Sequence, residues 1–170
     1  TIKSIHDVKL GHADKWIISR LQATIRDVTL ALNKLELGIA CQTAYDFMWY
    51  DFCDWYIELT KSALWSDDEA KKDTALAVLV YVLDSALKLL HPFVPFVTEK
   101  IYSELPGASG RIMLAAYPRY NSRLTYRKEA QAFAGVMDII KEVRALKTET
   151  GCAPSKKVTL YLITDSKRLI

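Results

Sequence analysis

The sequence lacks several features that mark particular classes of protein. Its 170 residues contain no uncharged apolar stretch of membrane-spanning length, because TALAVLVYVLDSALKLL is interrupted by Asp84 and Lys88. The chain does not begin with the charged-then-apolar pattern of a signal peptide. Its three cysteines, Cys41, Cys53 and Cys152, form no CxxC pair. We therefore expect a cytoplasmic protein with reduced thiols and no membrane partner.

Motifs for the common catalytic sites are absent as well. The sequence contains no G-x-S-x-G nucleophile elbow, no Walker loop and no GxGxxG. The three histidines, His6, His12 and His91, do not have the spacing of metal ligands. The chain therefore favours a binding module over an enzyme, and we expect no catalytic residues and no metal ligands within it.

One acidic pattern leaves an alternative open. Asp51, Asp54 and Glu58 recur at positions i, i+3 and i+7, so a regular helix would align three carboxylates that could chelate a divalent metal. Lys61 follows Glu58 by three residues and offers an ion-pair partner instead. The pattern favours an ordinary salt-bridged surface, and a helical metal-dependent enzyme is the less favoured alternative.

Charge is divided unevenly along the chain. Residues 1–104 hold 11 Lys and Arg against 15 Asp and Glu, whereas residues 105–170 hold 12 against 5. No acidic residue falls between Leu105 and Tyr126. Such asymmetry indicates a polyanionic partner or an acidic neighbouring domain, with a solvated surface as the alternative.

Hydrophobic periodicity predicts a mainly α-helical fold with five long helical segments. The first carries an apolar face, with Asp14 as N-cap and Gly38 as the stop. The second covers residues 39–64, the third begins near a Ser66 cap, the fourth begins near Pro95, and the fifth covers residues 126–149. The predicted apolar faces are, in the first segment, Ile17, Leu21, Ile25, Val28, Leu32 and Leu35; in the second, Ala44, Met48, Phe52, Trp55 and Leu59; in the third, Leu76, Leu79, Leu83, Ala86 and Leu90; and in the fifth, Phe133, Val136, Ile140 and Val143.

The stretch HPFVPFVTEKIY, residues 91–102, predicts a corner between two helices. Pro92 disfavours helical geometry at His91, so the third helix should end there. Pro95 is suited to the first turn of the next helix. We expect Phe93 and Phe96 to be buried in this corner.

Short connections between long amphipathic segments favour an antiparallel helical bundle over residues 1–125, ending in an irregular tail. Residues 126–170 are predicted to form a helix and then a strand in KKVTLYLIT, residues 156–164. A single strand needs partners, so we interpret this part as the truncated start of a small α/β region, and the chain as a fragment of a longer protein.

Basic residues cluster near the end of the fifth helix. Lys141, Arg144 and Lys147 are each one helical turn apart, and Lys156 and Lys157 follow before the strand. This basic ridge, opposite an apolar face, is typical of an element that contacts phosphates. A solvated helix face is the alternative.

Four ordered motifs resemble the C-terminal part of valyl-tRNA synthetases, which are class I aminoacyl-tRNA synthetases. They are ADKWIISRLQ (residues 13–22), FCDWYIELTK (52–61), HPFVPFVTEKIY (91–102) and VRALKTETGCAPSKK (143–157). The resemblance covers nearly the whole chain and implies the anticodon-binding helical bundle. The HIGH and KMSKS motifs of these enzymes are not present, so ATP and magnesium would bind in the catalytic domain of the parent enzyme and neither is expected in this chain.

The resemblance also implies a partner and candidate contacts. The partner would be the anticodon stem-loop of tRNA-Val, held together with other domains of the same synthetase chain. Arg20 and the junction from Lys34 to Leu37 would lie near the anticodon. Leu37 stands where many relatives have an aromatic residue, and leucine stacks on a base less well. A structural spacer without affinity for tRNA is the remaining alternative.

Overall fold

The computed structural model describes residues 2–153, 155–159 and 161. These residues contain α1 (His12–Asn33), α2 (Leu37–Asp46), α3 (Glu58–Leu64), α4 (Glu69–Leu90), α5 (Pro95–Glu104) and α6 (Arg127–Glu149). A π-helix, Phe47–Ile57, joins α2 to α3, and 3₁₀ turns lie at Ile112–Leu114 and Ser122–Leu124. The chain forms two compact units, Thr1–Ala130 and Gln131–Ile170.

The first unit is a bundle of helices. α1 packs against α2 and α4, α3 packs against α4, and α5 packs against α4. Because short connections join these elements, consecutive segments run in opposite directions. The prediction of a mainly α-helical bundle is confirmed.

The second unit contains most of α6. Val136, expected on its apolar face, is 44% exposed, and Met137 is buried instead. The described part of the predicted strand, residues 156–159 and 161, adopts no strand conformation. The other positions of that stretch lie outside the described residues, and the predicted division at residues 125 and 126 stays a prediction.

The predicted apolar face of α1 is confirmed from Ile17 to Val28 and wrong for Leu35, which follows the helix and is 82% exposed; the predicted cap is wrong as well. Ile17, Leu21, Ile25 and Val28 are buried. The N-cap is Gly11, three residues before Asp14. The Asp14 carboxylate accepts the Gly11 N–H at 2.8 Å through Oδ2 and the Tyr56 hydroxyl at 2.6 Å through Oδ1. Asp14 therefore links the start of α1 to the π-helix, and burial raises the pKa of Tyr56 above its ordinary value.

The π-helix changes which residues of the second segment are buried. The buried residues from α2 to α3 are Ala40, Ala44, Phe47, Phe52, Tyr56 and Thr60. The step of five from Phe47 to Phe52 follows the i to i+5 pattern of a π-helix. Phe47 therefore enters the core, while Trp49 is 51% exposed. Among the predicted core residues, Met48 is partly buried against the cluster of Leu87, Tyr102 and Ile112. Trp55 and Leu59 are only half-buried, because the prediction assumed a regular α-helix.

In α4 the prediction is confirmed for Ala86 and Leu90, which are buried, and wrong for Leu76, while Leu79 and Leu83 are half-buried. Ala75, Val78, Val82 and Leu89 are buried, whereas Leu76 is 41% exposed. Apolar residues occupy so many positions of this helix that several faces satisfy the same periodicity. Its cap also differs from the expected Ser66, because the Asp68 carboxylate accepts the N–H groups of Ala70 and Lys71 at 3.0 and 3.3 Å. These hydrogen bonds hold the pKa of Asp68 below its ordinary value.

Candidate nucleic-acid interface

The connection between α1 and α2 holds a leucine in a strained conformation. The Glu36 N–H donates to the Ala31 carbonyl at 2.9 Å, and the Leu35 N–H donates to the Leu32 carbonyl at 3.0 Å. This is a Schellman motif, which requires a left-handed residue after the helix. Leu35 takes that position with φ 61°, a conformation that costs a non-glycine residue about 1–2 kcal/mol. The expectation that Gly38 ends α1 is wrong, since Gly38 lies within α2.

The side chains at this junction point into solvent. Leu35 is 82% exposed, and Leu37 and Ile39 are each 57% exposed. Lys34 is exposed as well. The left-handed Leu35 ends α1 without burying its own side chain, and backbone strain of this kind is also frequent at functional sites.

The corner between α4 and α5 is rigid and also exposes apolar side chains. The Thr98 hydroxyl lies 2.9 Å from the Val94 carbonyl, and the His91 Nδ1 lies 2.8 Å from the same hydroxyl. α4 ends at Leu90 and α5 begins at Pro95, as the prolines predict. Phe96, however, is 91% exposed.

The burial predicted for this corner is therefore wrong for Phe96, and Phe93 is only half-buried. The buried side of α5 is formed by Thr98 and Tyr102, one turn apart. Phe96 precedes Thr98 by two residues, about half a helical turn, and so lies on the opposite side of the helix. The sequence offers no signal for the exposure of Phe96, because the packing of α5 on α4 selects Thr98 and Tyr102 as the buried side.

The junction and the corner lie at the same end of the bundle. α2, the π-helix and α3 form one continuous segment, and both α2 and α3 contact α4. Since α4 follows α3 after a short connection, it runs back towards the start of α2. The exposed residues Lys34, Leu35, Leu37, Val94 and Phe96 are called the junction–corner surface below.

Arg20 is not part of the junction–corner surface. It lies on α1 fifteen positions before Leu35, which corresponds to about 22 Å of helix. Its guanidinium contacts the Asp51 carboxylate through Nη2 at 2.8 Å and Nε at 2.9 Å. The structure therefore separates Arg20 from Lys34 and Leu37, which sequence analysis had placed together.

The acidic triplet has other partners than a metal. Asp51 pairs with Arg20, and the Glu58 carboxylate lies 2.6 Å from the Lys61 ammonium. Asp51 and Asp54 lie on the π-helix, whose pitch differs from the regular helix that would align them with Glu58. Within residues 2–153, 155–159 and 161, no group of three or more His, Cys, Asp or Glu side chains could hold a metal ion.

The basic ridge lies in the second unit. Lys141 lies 3.5 Å from the Asp138 carboxylate, and Arg144 is exposed. The Lys147 ammonium donates to the Lys156 carbonyl at 2.7 Å, which closes the turn after α6. Lys156 and Lys157 are exposed on that turn. The ridge residues are thus brought together, and Lys147 also has a structural role.

The described part of the chain contains no helix that is both long enough and apolar enough to cross a membrane. Its three cysteines are free thiols.

Comparison with known proteins identifies the family. Residues 14–162 match the model of the anticodon-binding domain of tRNA ligases. The chain belongs to this family. The match includes every element of the bundle and α6, so the junction–corner surface and the basic ridge are both features of an anticodon-binding domain.

Relatives of this anticodon-binding domain are valine–tRNA ligases. The chain is 43% identical over 157 residues to the enzyme of Geobacillus stearothermophilus, which covers 92% of the chain and 18% of that enzyme. It is 42% identical over 155 residues to the enzyme of Clostridium acetobutylicum, and the aligned region covers 91% of the chain and 18% of that enzyme. The chain is 45% identical over 150 residues to the enzyme of Bacillus cereus, and the aligned region covers 88% of the chain and 17% of that enzyme. The chain therefore spans less than a fifth of the length of these relatives.

Proposed function

We propose that this anticodon-binding domain recognises the anticodon stem-loop of tRNA-Val as one part of a valine–tRNA ligase. In this proposal the parent enzyme attaches valine to tRNA-Val with ATP, and ATP and magnesium bind in its catalytic domain. The part described here contributes recognition and no catalysis. We also place the parent enzyme in the cytoplasm, in keeping with three free thiols.

The observation that carries the proposal is the junction–corner surface. Anticodon bases in a single-stranded loop are unstacked, and apolar or aromatic side chains can cover their faces. Phe96 offers a ring that is 91% exposed, and Leu37 offers an aliphatic face that is 57% exposed. Lys34, next to the strained Leu35, supplies a positive charge for a loop phosphate. The Schellman motif and the Thr98 hydrogen bonds hold both backbones in place before any RNA arrives.

The direct test is RNA binding by the 170-residue chain, measured by fluorescence anisotropy with a labelled valine-anticodon stem-loop. We expect weak binding. The logarithm of the association constant should fall linearly with the logarithm of the salt concentration, because each neutralised phosphate releases counterions. A stem-loop of the same length with a scrambled anticodon is the control and should bind less tightly. Absence of binding to either RNA at low salt would make the structural spacer the better interpretation.

The basic ridge supplies a second prediction. Replacing Arg144, Lys156 and Lys157 with Ala should weaken binding of both stem-loops equally and reduce the salt slope by about one for each phosphate that is contacted. Lys147 is left intact because its ammonium closes the turn after α6.

The control for the ridge variant removes the same number of charges elsewhere. Lys61, Lys71 and Lys72 pair with Glu58, Asp68 and Glu69, so their replacement with Ala should leave the slope nearly unchanged. Equal slopes in the ridge variant and the wild-type chain would show that the ridge is a solvated face.

A further inference from the structure

A second group of cations lies in the first unit, where the predicted irregular tail of the bundle meets the start of the fifth predicted helix. Residues 117–128, YPRYNSRLTYRK, contain four basic residues and no acidic residue. The four are all exposed in the structure: Arg119, Arg123, Arg127 and Lys128. Tyr117 and Tyr120, between 38% and 43% exposed, alternate with them. This stretch is called the arginine segment below.

Although it is mostly irregular, the arginine segment is anchored to α1. The Asn121 N–H donates to the Gln22 Oε1 at 2.8 Å. Gln22 is fully buried, and its amide group donates in turn to the Tyr81 hydroxyl at 3.2 Å. A buried glutamine with both ends occupied fixes the middle of the segment, because releasing the segment would leave polar groups unpaired.

Two further contacts continue along the same face of α1. The Tyr126 N–H donates to the Ser19 hydroxyl at 2.8 Å, and the Glu129 carboxylate accepts from the Lys15 ammonium at 2.9 Å. The hydrogen bond from Lys15 holds the pKa of Glu129 below its ordinary value. The three anchors on α1 are Gln22, Ser19 and Lys15, and each is one helical turn from the next.

The segment thus runs antiparallel to α1, and its position is set before any ligand binds. Leu124, which is 7% exposed, packs beneath it. The exposed cations are therefore displayed on a fixed backbone, which lowers the entropy cost of binding a partner.

The cations of the segment differ from the lysines of α3, α4 and α5 in lacking carboxylate partners. Each lysine of α3, α4 and α5 lies within 3.3 Å of a carboxylate. Among the described residues, no carboxylate forms an ion pair with Arg119, Arg123, Arg127 or Lys128. Four neighbouring positive charges without neutralising partners repel one another, and a polyanion would relieve that repulsion.

We propose that the arginine segment binds the sugar-phosphate backbone of RNA, at a site separate from the junction–corner surface. Gln22 precedes Leu35 by thirteen residues, so the segment lies about 20 Å along α1 from the junction. If the loop of an RNA occupies the junction–corner surface and its double-stranded stem extends along α1, the stem would lie beside the arginine segment. Guanidinium groups match phosphate geometry with paired hydrogen bonds, and RNA is the polyanion assigned here because the proposed function already places an RNA on this bundle. This inference rests on the proposed function.

The test is a triple variant, Arg119→Gln, Arg123→Gln and Arg127→Gln, in the 170-residue chain. All three side chains are exposed, so we expect an unchanged melting temperature. Affinity for the valine stem-loop and for the scrambled stem-loop should decrease by the same factor, because phosphate contacts carry no base information. The salt slope should decrease by about one for each of the three residues that contacts a phosphate.

The control is Lys61→Gln, Lys71→Gln and Lys72→Gln, which changes the net charge by the same amount. If the arginine variant binds like this control, or like the wild-type chain, the inference is overturned while the proposed function stands. If affinity decreases for the valine stem-loop alone, the segment reads bases and the inference is also overturned. If the wild-type chain binds neither RNA, both proposals fail.

Discussion

Replacing Phe96 with Ala should weaken binding of the valine-anticodon stem-loop without changing the stability of the chain. Loss of one base-stacking aromatic costs about 1–3 kcal/mol of binding free energy, or roughly 5- to 150-fold in Kd. Because Phe96 is 91% exposed, the free energy of unfolding should change by less than about 0.5 kcal/mol. Anisotropy titrations with the valine and scrambled stem-loops, together with urea denaturation, would measure both effects.

The control for Phe96 is Trp65→Ala. Trp65 is 85% exposed and follows α3 at the opposite end of the bundle, so its loss should leave RNA binding unchanged. Leu37→Ala should reduce the preference for the valine anticodon by a smaller factor, because leucine stacks on a base less well than an aromatic ring. A decrease in stability of several kcal/mol in Phe96→Ala would show instead that the corner is a packing element.

A second large effect is expected for Phe47→Ala, which should lower the free energy of unfolding by about 3–5 kcal/mol. Phe47 is 2% exposed because the π-helix turns it into the core. Its near neighbour Trp49 is 51% exposed, so Trp49→Ala should cost less than about 1 kcal/mol although it removes the larger side chain. Urea denaturation with a shared slope for all variants would give these values.

The comparison between the two aromatic residues tests the π-helix directly. In a regular α-helix with the predicted face at Met48 and Phe52, Phe47 would lie at the edge of that face and Trp49 would widen it. A mild effect of Phe47→Ala combined with a severe effect of Trp49→Ala would therefore contradict the π-helical register. The far-ultraviolet circular dichroism of both variants should match the wild-type chain.

Some elements follow from the sequence with little ambiguity. In α1, apolar residues recur at helical spacing, and the predicted face is buried from Ile17 to Val28. Pro92 and Pro95 determine where α4 ends and α5 begins, since proline restricts its own φ and the conformation of the residue before it. The four family motifs likewise pointed to an anticodon-binding domain, and the family match confirms it.

Other elements could not be derived in this way. In α4, apolar residues stand on several sides, so periodicity alone could not select the buried face. The π-helix was also missed, because its extra residue per turn depends on how the neighbouring helices accommodate Phe47 and Phe52. The predicted alignment of Asp51, Asp54 and Glu58 was based on the same regular helix and was lost with it.

The sequence by itself determined the α-helical class, the order of the helices, the proline corner and the membership in the family. Only the tertiary structure decided that Phe96 faces solvent, that Arg20 pairs with Asp51 and that the arginine segment is anchored on α1. The physical reason is the range of the interactions. Helix formation and proline geometry are local, whereas the Gln22–Asn121 and Ser19–Tyr126 hydrogen bonds join residues about a hundred positions apart, whose contact no local pattern encodes.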